Sequence, residues 1–137
     1  MAANIRLEVV TPQKEVVNEE AQIIVAPGVL GEFGVLIGHT PFMTSLNVGT
    51  IRYTDTQGQE HCVFVSGGFA EALPDKVTVL AETAERRCNI DMDRAKTAME
   101  RAQKRIDDKS EDIDYARAQM ALKRSIHRIR LGESRSS

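Results

Sequence analysis

The chain has 137 residues and a mass of 15.2 kDa, with 42% hydrophobic and 28% charged residues, a composition that fits a folded globular protein and excludes a disordered one. No run approaches the roughly 18 apolar residues of a membrane helix, and the N-terminus lacks a basic stretch followed by an apolar core, so no secretory signal is expected. The net charge of −2 hides an uneven distribution: residues 1–84 hold 4 Lys+Arg against 10 Asp+Glu, and residues 85–137 hold 14 against 10.

All four prolines, eight of the nine glycines and five of the six aromatic residues lie in the first part. Two modules are therefore expected, with a boundary after Ala84. Cys62 and Cys88 are too few for a disulfide scaffold and too far apart for a metal knuckle, so a reduced, cytosol-facing chain is expected.

Apolar residues alternate at Ile5, Leu7 and Val9, and again at Val77, Val79 and Ala81, the period of a half-buried strand. Between them, short apolar or β-branched runs at 22–26, 48–54, 61–66 and 69–73 predict further strands. Thr11-Pro12, Pro27-Gly28, Asp55 to Gly58 and Pro74-Asp75 punctuate them as turns. Short strands broken at such intervals predict a small sandwich or barrel. The stretch from Gly28 to Gly34 looks superficially like a phosphate cradle, but no helix start and no Gly-Lys-Ser/Thr follows it. It reads as a glycine-rich loop.

From Met92 onward the period changes. Met92, Ala95, Met99, Ala102 and Ile106 recur at spacings of three and four, one apolar stripe on a helix. Asp91 is the expected N-cap, with Ile90 before it. Residues 107–110 read as a turn, with Ser110 capping a second helix whose first turn carries Glu111 and Asp112 against the helix dipole. Tyr115, Ala118, Leu122, Ile126 and Ile129 share one side of it, and Gly132 is expected to end it. Alanines on both helices allow close antiparallel packing. The predicted class is α+β: an N-terminal all-β sandwich over 1–84, then a C-terminal antiparallel two-helix hairpin over 85–137. So short a hairpin has a thin core and depends on docking.

Basic residues gather late, at Arg117, Lys123, Arg124, Arg128, Arg130 and Arg135. They read as a solvated face, or as a surface for acidic protein or nucleotide phosphates. Nucleic acid is disfavoured, because 4% aromatics supply no stacking platform. His39, His61 and His127 have no partner at metal-ligand spacing. Ser66-Gly67-Gly68 lacks the context of a nucleophile elbow, and Cys88 reads as a spectator thiol. No catalytic constellation emerges, so turnover by the chain itself is not expected.

Leu30-Gly31-Glu32-Phe33-Gly34-Val35, followed by Gly38-His39-Thr40-Pro41, resembles the epsilon subunit family of the F-type ATP synthases. Ser66 to Glu71 and Lys76 to Ala84 resemble it too, and the likeness covers nearly the whole chain. Ile37 departs from it, where the family commonly has Pro before Gly-His. The resemblance implies a non-catalytic central-stalk subunit of a proton-translocating ATP synthase, peripheral to the cytoplasmic face of the bacterial plasma membrane and bound to that membrane only through the complex. It implies a sandwich that binds the gamma subunit and the ring of c subunits, with Glu32 and His39 toward the ring and stalk foot; both residues read equally as parts of a structural turn. It implies a regulatory hairpin that extends along gamma, blocks ATP hydrolysis and turns the basic second helix toward acidic beta subunits. Arg117, Lys123, Arg124 and Arg128 are the candidates for that contact.

Ile90-Asp91-Met92-Asp93-Arg94-Ala95 is also similar to the family's Ile/Leu-Asp-x-x-Arg-Ala nucleotide motif. Glu85, Arg101, Arg124 and Arg128 stand where ATP-binding relatives place further contacts. With Ile90, Asp91, Arg94 and Ala95 they imply ATP as a regulatory ligand, with no cofactor otherwise. Asp91 reads alternatively as a plain cap and the arginines as surface charge. A free-standing nucleotide sensor and a small basic nucleic-acid binder are the competing functional readings.

Overall fold

The computed structural model describes residues 4–108 and 114–134. Seven strands come first: β1 Ile5–Val10, β2 Glu15–Gly28, β3 Gly31–Val35, β4 Phe42–Asp55, β5 Glu60–Leu73, β6 Lys76–Ala81 and β7 Ala84–Arg86. A 3-10 turn, Arg87–Asn89, leads into α1, Met92–Asp107, and α2, Tyr115–Glu133. The sheet runs β1-β6-β5-β4-β2-β3, and an added β1–β2 pairing closes it on itself. β1 and β6 pair in parallel, whereas the other pairs are antiparallel. The result is a flattened, closed sandwich followed by two helices.

The alternation read from the sequence is what fills this sandwich. Ile5, Leu7 and Val9 point inward against Val77 and Val79, with Ile51, Tyr53, Val63 and Val65 completing the core. The first half of β5 departs from alternation: Cys62, Val63, Phe64 and Val65 are all buried. A strand buried on both faces needs cover on its outer side. Val48, Cys62 and Phe64 form a second apolar cluster there with Leu131 of α2, and Ile90 packs against it.

Several elements differ from their sequence reading. The runs 61–66 and 69–73 are one 14-residue strand, because Gly67 and Gly68 take φ of +109° and +141° and let β5 turn without breaking. β5 thereby pairs with β7 over its first half and with β6 over its second. β2 starts at Glu15, well before Gln22, since its charged first half pairs with β1. β4 likewise begins at Phe42. The glycine-rich stretch is a hairpin: Gly28 faces Gly31 across a two-residue turn, and β3 pairs back on β2. Glu85 and Arg86, grouped with the helices by composition, extend the sheet as β7 on β5.

The start of α1 matches its expected signal, with the Asp91 carboxylate accepting from the Arg94 amide at 3.0 Å. In α2 the cap is Asp114, which accepts from the Arg117 amide at 3.1 Å; Ser110, Glu111 and Asp112 lie outside the described residues. Gly132 does not end the helix. It sits inside the last turn because Met92 passes so close that a Cβ would meet its sulfur at 2.2 Å. Met92 against Gly132 at one end, and the Tyr115 hydroxyl donating to the Asp108 carbonyl at the other, make the two helices antiparallel. Ala95, Ala102, Ala118 and Ser125 are buried in the hairpin, and the Ser125 hydroxyl donates to the Ala121 carbonyl at 3.0 Å.

Gly68 carries the turn of β5. A Cβ there would meet the Leu80 carbonyl oxygen at 2.1 Å, and φ is positive besides. Gly68→Ala is expected to lower unfolding stability by about 3 kcal/mol, whereas Gly58→Ala, in an open turn with positive φ, costs about 1 kcal/mol. Urea midpoints of the two variants check the difference.

Candidate functional site: the seat of the helical hairpin

The helices meet the sandwich through a small set of side chains, and Arg128 is central among them. Its Nε donates to Glu85 Oε1 at 2.9 Å, and an Nη donates to the Thr83 hydroxyl at 3.4 Å. Its guanidinium carbon lies 4.5 Å from the ring centroid of Phe64, within cation–π range. Two residues singled out from the sequence, Glu85 and Arg128, are thus in direct contact across the two modules. Ile90, a third, packs beside Phe64 and Leu131.

Two arginines that sequence reasoning left without a role complete the seat. Arg87 Nε donates to the Leu131 carbonyl at 3.1 Å and to the Ser134 hydroxyl at 2.9 Å, which satisfies the C-terminal end of α2 and places a cation there, favourable against the dipole. Arg86 braces β7 from the other side. It donates to the Val16 carbonyl at 3.1 Å, to the Tyr53 hydroxyl at 3.0 Å and to Glu19 at 2.5 Å. The Tyr53 hydroxyl also donates to Glu19 at 3.3 Å. Burial pushes the Tyr53 phenol up to about 12, against the pull of Arg86. Glu85 is held by the pairing of β7 on β5, where it lies opposite Phe64, and by the two bonded arginines, Arg86 and Arg87, that follow it in the chain. Only the alternating sense of β7 could have signalled this, and three residues are too few to show it.

The remaining candidates are spread out. Asp91 is engaged as an N-cap, and Ala95 is buried between the helices. Arg94 and Arg101 are exposed, two turns apart on one side of α1. Arg124 is half-buried one turn before Arg128 on α2, and Arg117 is exposed. Arg94, Arg101 and Arg124 make no ion pair or side-chain hydrogen bond with the described residues. Lys123 and His127 line a cleft of about 580 Å³ between α2 and the sandwich, opposite Gly28, Glu32, Gly49 and Arg52. Burial, with Lys123 and Arg130 nearby, holds the His127 imidazole below its ordinary value.

Glu32 and His39 occupy different surroundings. Glu32 accepts from Arg52 at 2.7 Å on the rim of that cleft. His39 lies beyond β3, its ring edge-on to Phe42 at 5.0 Å and its Nδ1 2.6 Å from the Thr40 carbonyl. Outside the cleft, the outward face of β4–β5–β6 leaves Met43, Phe69 and Leu80 in water, each more than half exposed.

Comparisons with known proteins agree with this two-part organisation. The sequence model of the ATP synthase delta/epsilon chain beta-sandwich domain matches residues 4–87, and that of the delta/epsilon long alpha-helix domain matches residues 89–133. An ATP synthase epsilon chain of Desulforapulum autotrophicum is 58% identical over 135 residues, 98% of this chain and 100% of that relative. One of Desulfosudis oleivorans is 63% identical over 107 residues, 78% of this chain and 80% of the relative. A chain in the cryo-EM structure of the Euglena gracilis mitochondrial ATP synthase (OSCP/F1/c-ring, rotational state 1) shares the fold, with a TM-score of 0.78 at 23% identity. It covers 92% of this chain and 79% of that one.

The Arg128–Glu85 contact is three-quarters shielded, so it is worth more than an open surface pair. Arg128→Ala is expected to lower the opening free energy of α2 by about 1–2 kcal/mol, counting the lost ring contact. Glu85→Gln lowers it less, and the double variant costs less than the sum. Hydrogen exchange of α2 amides in the four proteins measures this, and strictly additive losses would disprove the pairing.

Proposed function

The chain belongs to the ATP synthase delta/epsilon family as an epsilon chain, and on that premise we propose that it works in the central stalk of a bacterial proton-translocating F-type ATP synthase. In this reading the sandwich binds the gamma subunit and rests on the c ring, and the hairpin regulates ATP hydrolysis. The observation that carries the proposal is the match of both modules, in order, to the two domains of that family. The Euglena neighbour comes from an assembly described as containing F1 and a c ring.

The sandwich offers surfaces suited to such partners. A contiguous apolar patch left in water by an isolated chain marks an interaction site. Met43, Phe69 and Leu80 form one on the outward face of β4–β5–β6, and it is assigned to gamma. The Val29-Leu30 turn, with Leu30 98% exposed, projects at the head of β3 beside Glu32 and is assigned to the ring, with His39 at the stalk foot. No described helix is long and apolar enough to cross a membrane; in the proposed reading the complex holds the chain at the cytoplasmic face of the plasma membrane.

The hairpin is assigned a regulatory ligand and a second position. ATP phosphates need fixed, permanently charged forks, which Arg supplies. Arg94 and Arg101 on α1, with Arg124 on α2, have no ion-pair or side-chain hydrogen-bond partner among the described residues, and Arg128 keeps an Nη beyond its bonds to Glu85 and Thr83. Ile90, Asp91 and Ala95 complete the candidate set at the start of α1. Only the folded hairpin gathers residues of both helices, so ATP would favour it by about 1.4 kcal/mol at ten times its Kd. Released, α2 would present Arg117, Lys123, Arg124 and Arg128 to acidic surfaces of the beta subunits. The role is binding and restraint, not turnover.

Two outcomes are expected. Phe69→Asp or Leu80→Asp should cut gamma binding in a co-purification assay at least tenfold, as loss of an apolar anchor does, while Arg128→Ala retains it. In calorimetric titration, ATP should bind saturably, and Arg94→Ala or Arg124→Ala should weaken it about tenfold or more with gamma binding intact. Unchanged gamma binding in both Asp variants contradicts the face assignment, and absent ATP binding contradicts the ligand.

A further inference from the structure

The cleft between α2 and the sandwich contains the one imidazole of the helical part, and it is populated unevenly by charge. His127 lies between Lys123, one turn before it, and Arg130 just after it, with Arg124 and Arg128 on the same helix. Across the cleft, β4 presents Arg52 and β3 presents Glu32, and these two bond to each other at 2.7 Å. Glu85 of β7 is not among the residues that line the cleft and is already engaged by Arg128 at 2.9 Å. His127 itself makes no hydrogen bond or ion pair with the described residues. A proton on its ring would therefore enter a half-buried site flanked by Lys123 and Arg130, where the one lining carboxylate, Glu32, already has a partner in Arg52.

We propose that His127 is a proton-operated release for the hairpin: uncharged, it lets α2 lie against the sandwich, and protonated, it loosens that seat. The cleft walls and the charges around the ring carry this inference, and the depressed imidazole agrees with them. A standing anion site in the same cleft is the weaker reading, because Arg52 is neutralised by Glu32 and Lys123 alone remains. The device belongs to the chain itself and does not depend on which partners it meets.

The sign follows from linkage. A histidine held below its ordinary value of about 6.5 binds fewer protons when docked than when released. Docking is therefore strongest above about pH 6.5 and weakens as the pH falls from there toward the docked value. At pH 5.5 a released imidazole of ordinary affinity favours opening by up to about tenfold.

The test is hydrogen exchange of the full chain at pH 7.5 and 5.5, corrected for intrinsic rates, with β4 and β5 amides as the internal reference. Opening of α2 amides should rise several-fold on acidification in the native chain, by less than twofold in His127→Gln, and His127→Lys should be open at both pH values. An equal acid response in native and Gln chains would overturn the proposal. NMR titration of the native chain tests it without any variant: a His127 midpoint below 6.5 is expected, and one at or above 6.5 would overturn it.

Discussion

Arg128 ties a large, self-sufficient module to a small, dependent one, and the behaviour of the whole chain turns on that join. Its charge meets Glu85, its flat face covers Phe64, and both lie on strands fixed by the sandwich. The sandwich has a continuous core drawn from all seven strands, and the helical part covers only its outer cluster at Val48, Cys62 and Phe64. The hairpin has no such reserve. Its interior is built of alanines and one serine, which permit close approach but bury little apolar area. What it gains from docking comes through Leu131, Ile90 and Arg128 against Val48, Cys62 and Phe64. Stability is then uneven along the chain, high in the strands and low in the helices, and local opening of the helices is the least costly motion available.

That asymmetry suits a regulatory part mounted on a structural one. The strands hold an apolar outward face at Met43, Phe69 and Leu80 whether or not the helices are seated. The helices carry the excess of basic residues over a sandwich with an excess of acidic ones, so long-range attraction helps to seat them. The same charges are free to face an acidic partner once released. Arg128, bonded to Glu85 through Nε and to Thr83 through one Nη, retains further N–H groups, which are those the proposed phosphate ligand would use.

Most of the architecture was legible in the sequence because two periods dominate it. The alternation at Ile5, Leu7 and Val9 and the three-and-four spacing from Met92 to Ile106 are both realised, and Asp91 caps α1 as its position implies. What stayed hidden has physical causes. Gly67 and Gly68 look like a break yet serve as a bend within one strand. Gly132 looks like a stop yet makes room for Met92. Glu15, Glu19 and Glu20 conceal the first half of β2, whose outward side tolerates charge. At the seat, Glu85, Ile90 and Arg128 were picked out through family resemblance and not through any local pattern. The bonds of Arg86 and Arg87 were not legible because their partners Glu19, Tyr53 and Leu131 lie 67, 33 and 44 residues away in the chain. The run Cys62 to Val65, apolar at every position, was the one local sign that something must cover the outer face of β5.

The central claim is that the hairpin of the free chain is seated on the sandwich through Arg128. The most direct measurement is a dipolar distance between spin labels at Gln57, in the exposed β4–β5 turn, and at Met120, on the exposed side of α2, with Cys88 replaced by Ser. One narrow distance distribution is expected in the otherwise native chain and a broad one when Arg128 is replaced by Ala. A broad distribution in the native chain, or a narrow one that survives the replacement, would contradict it.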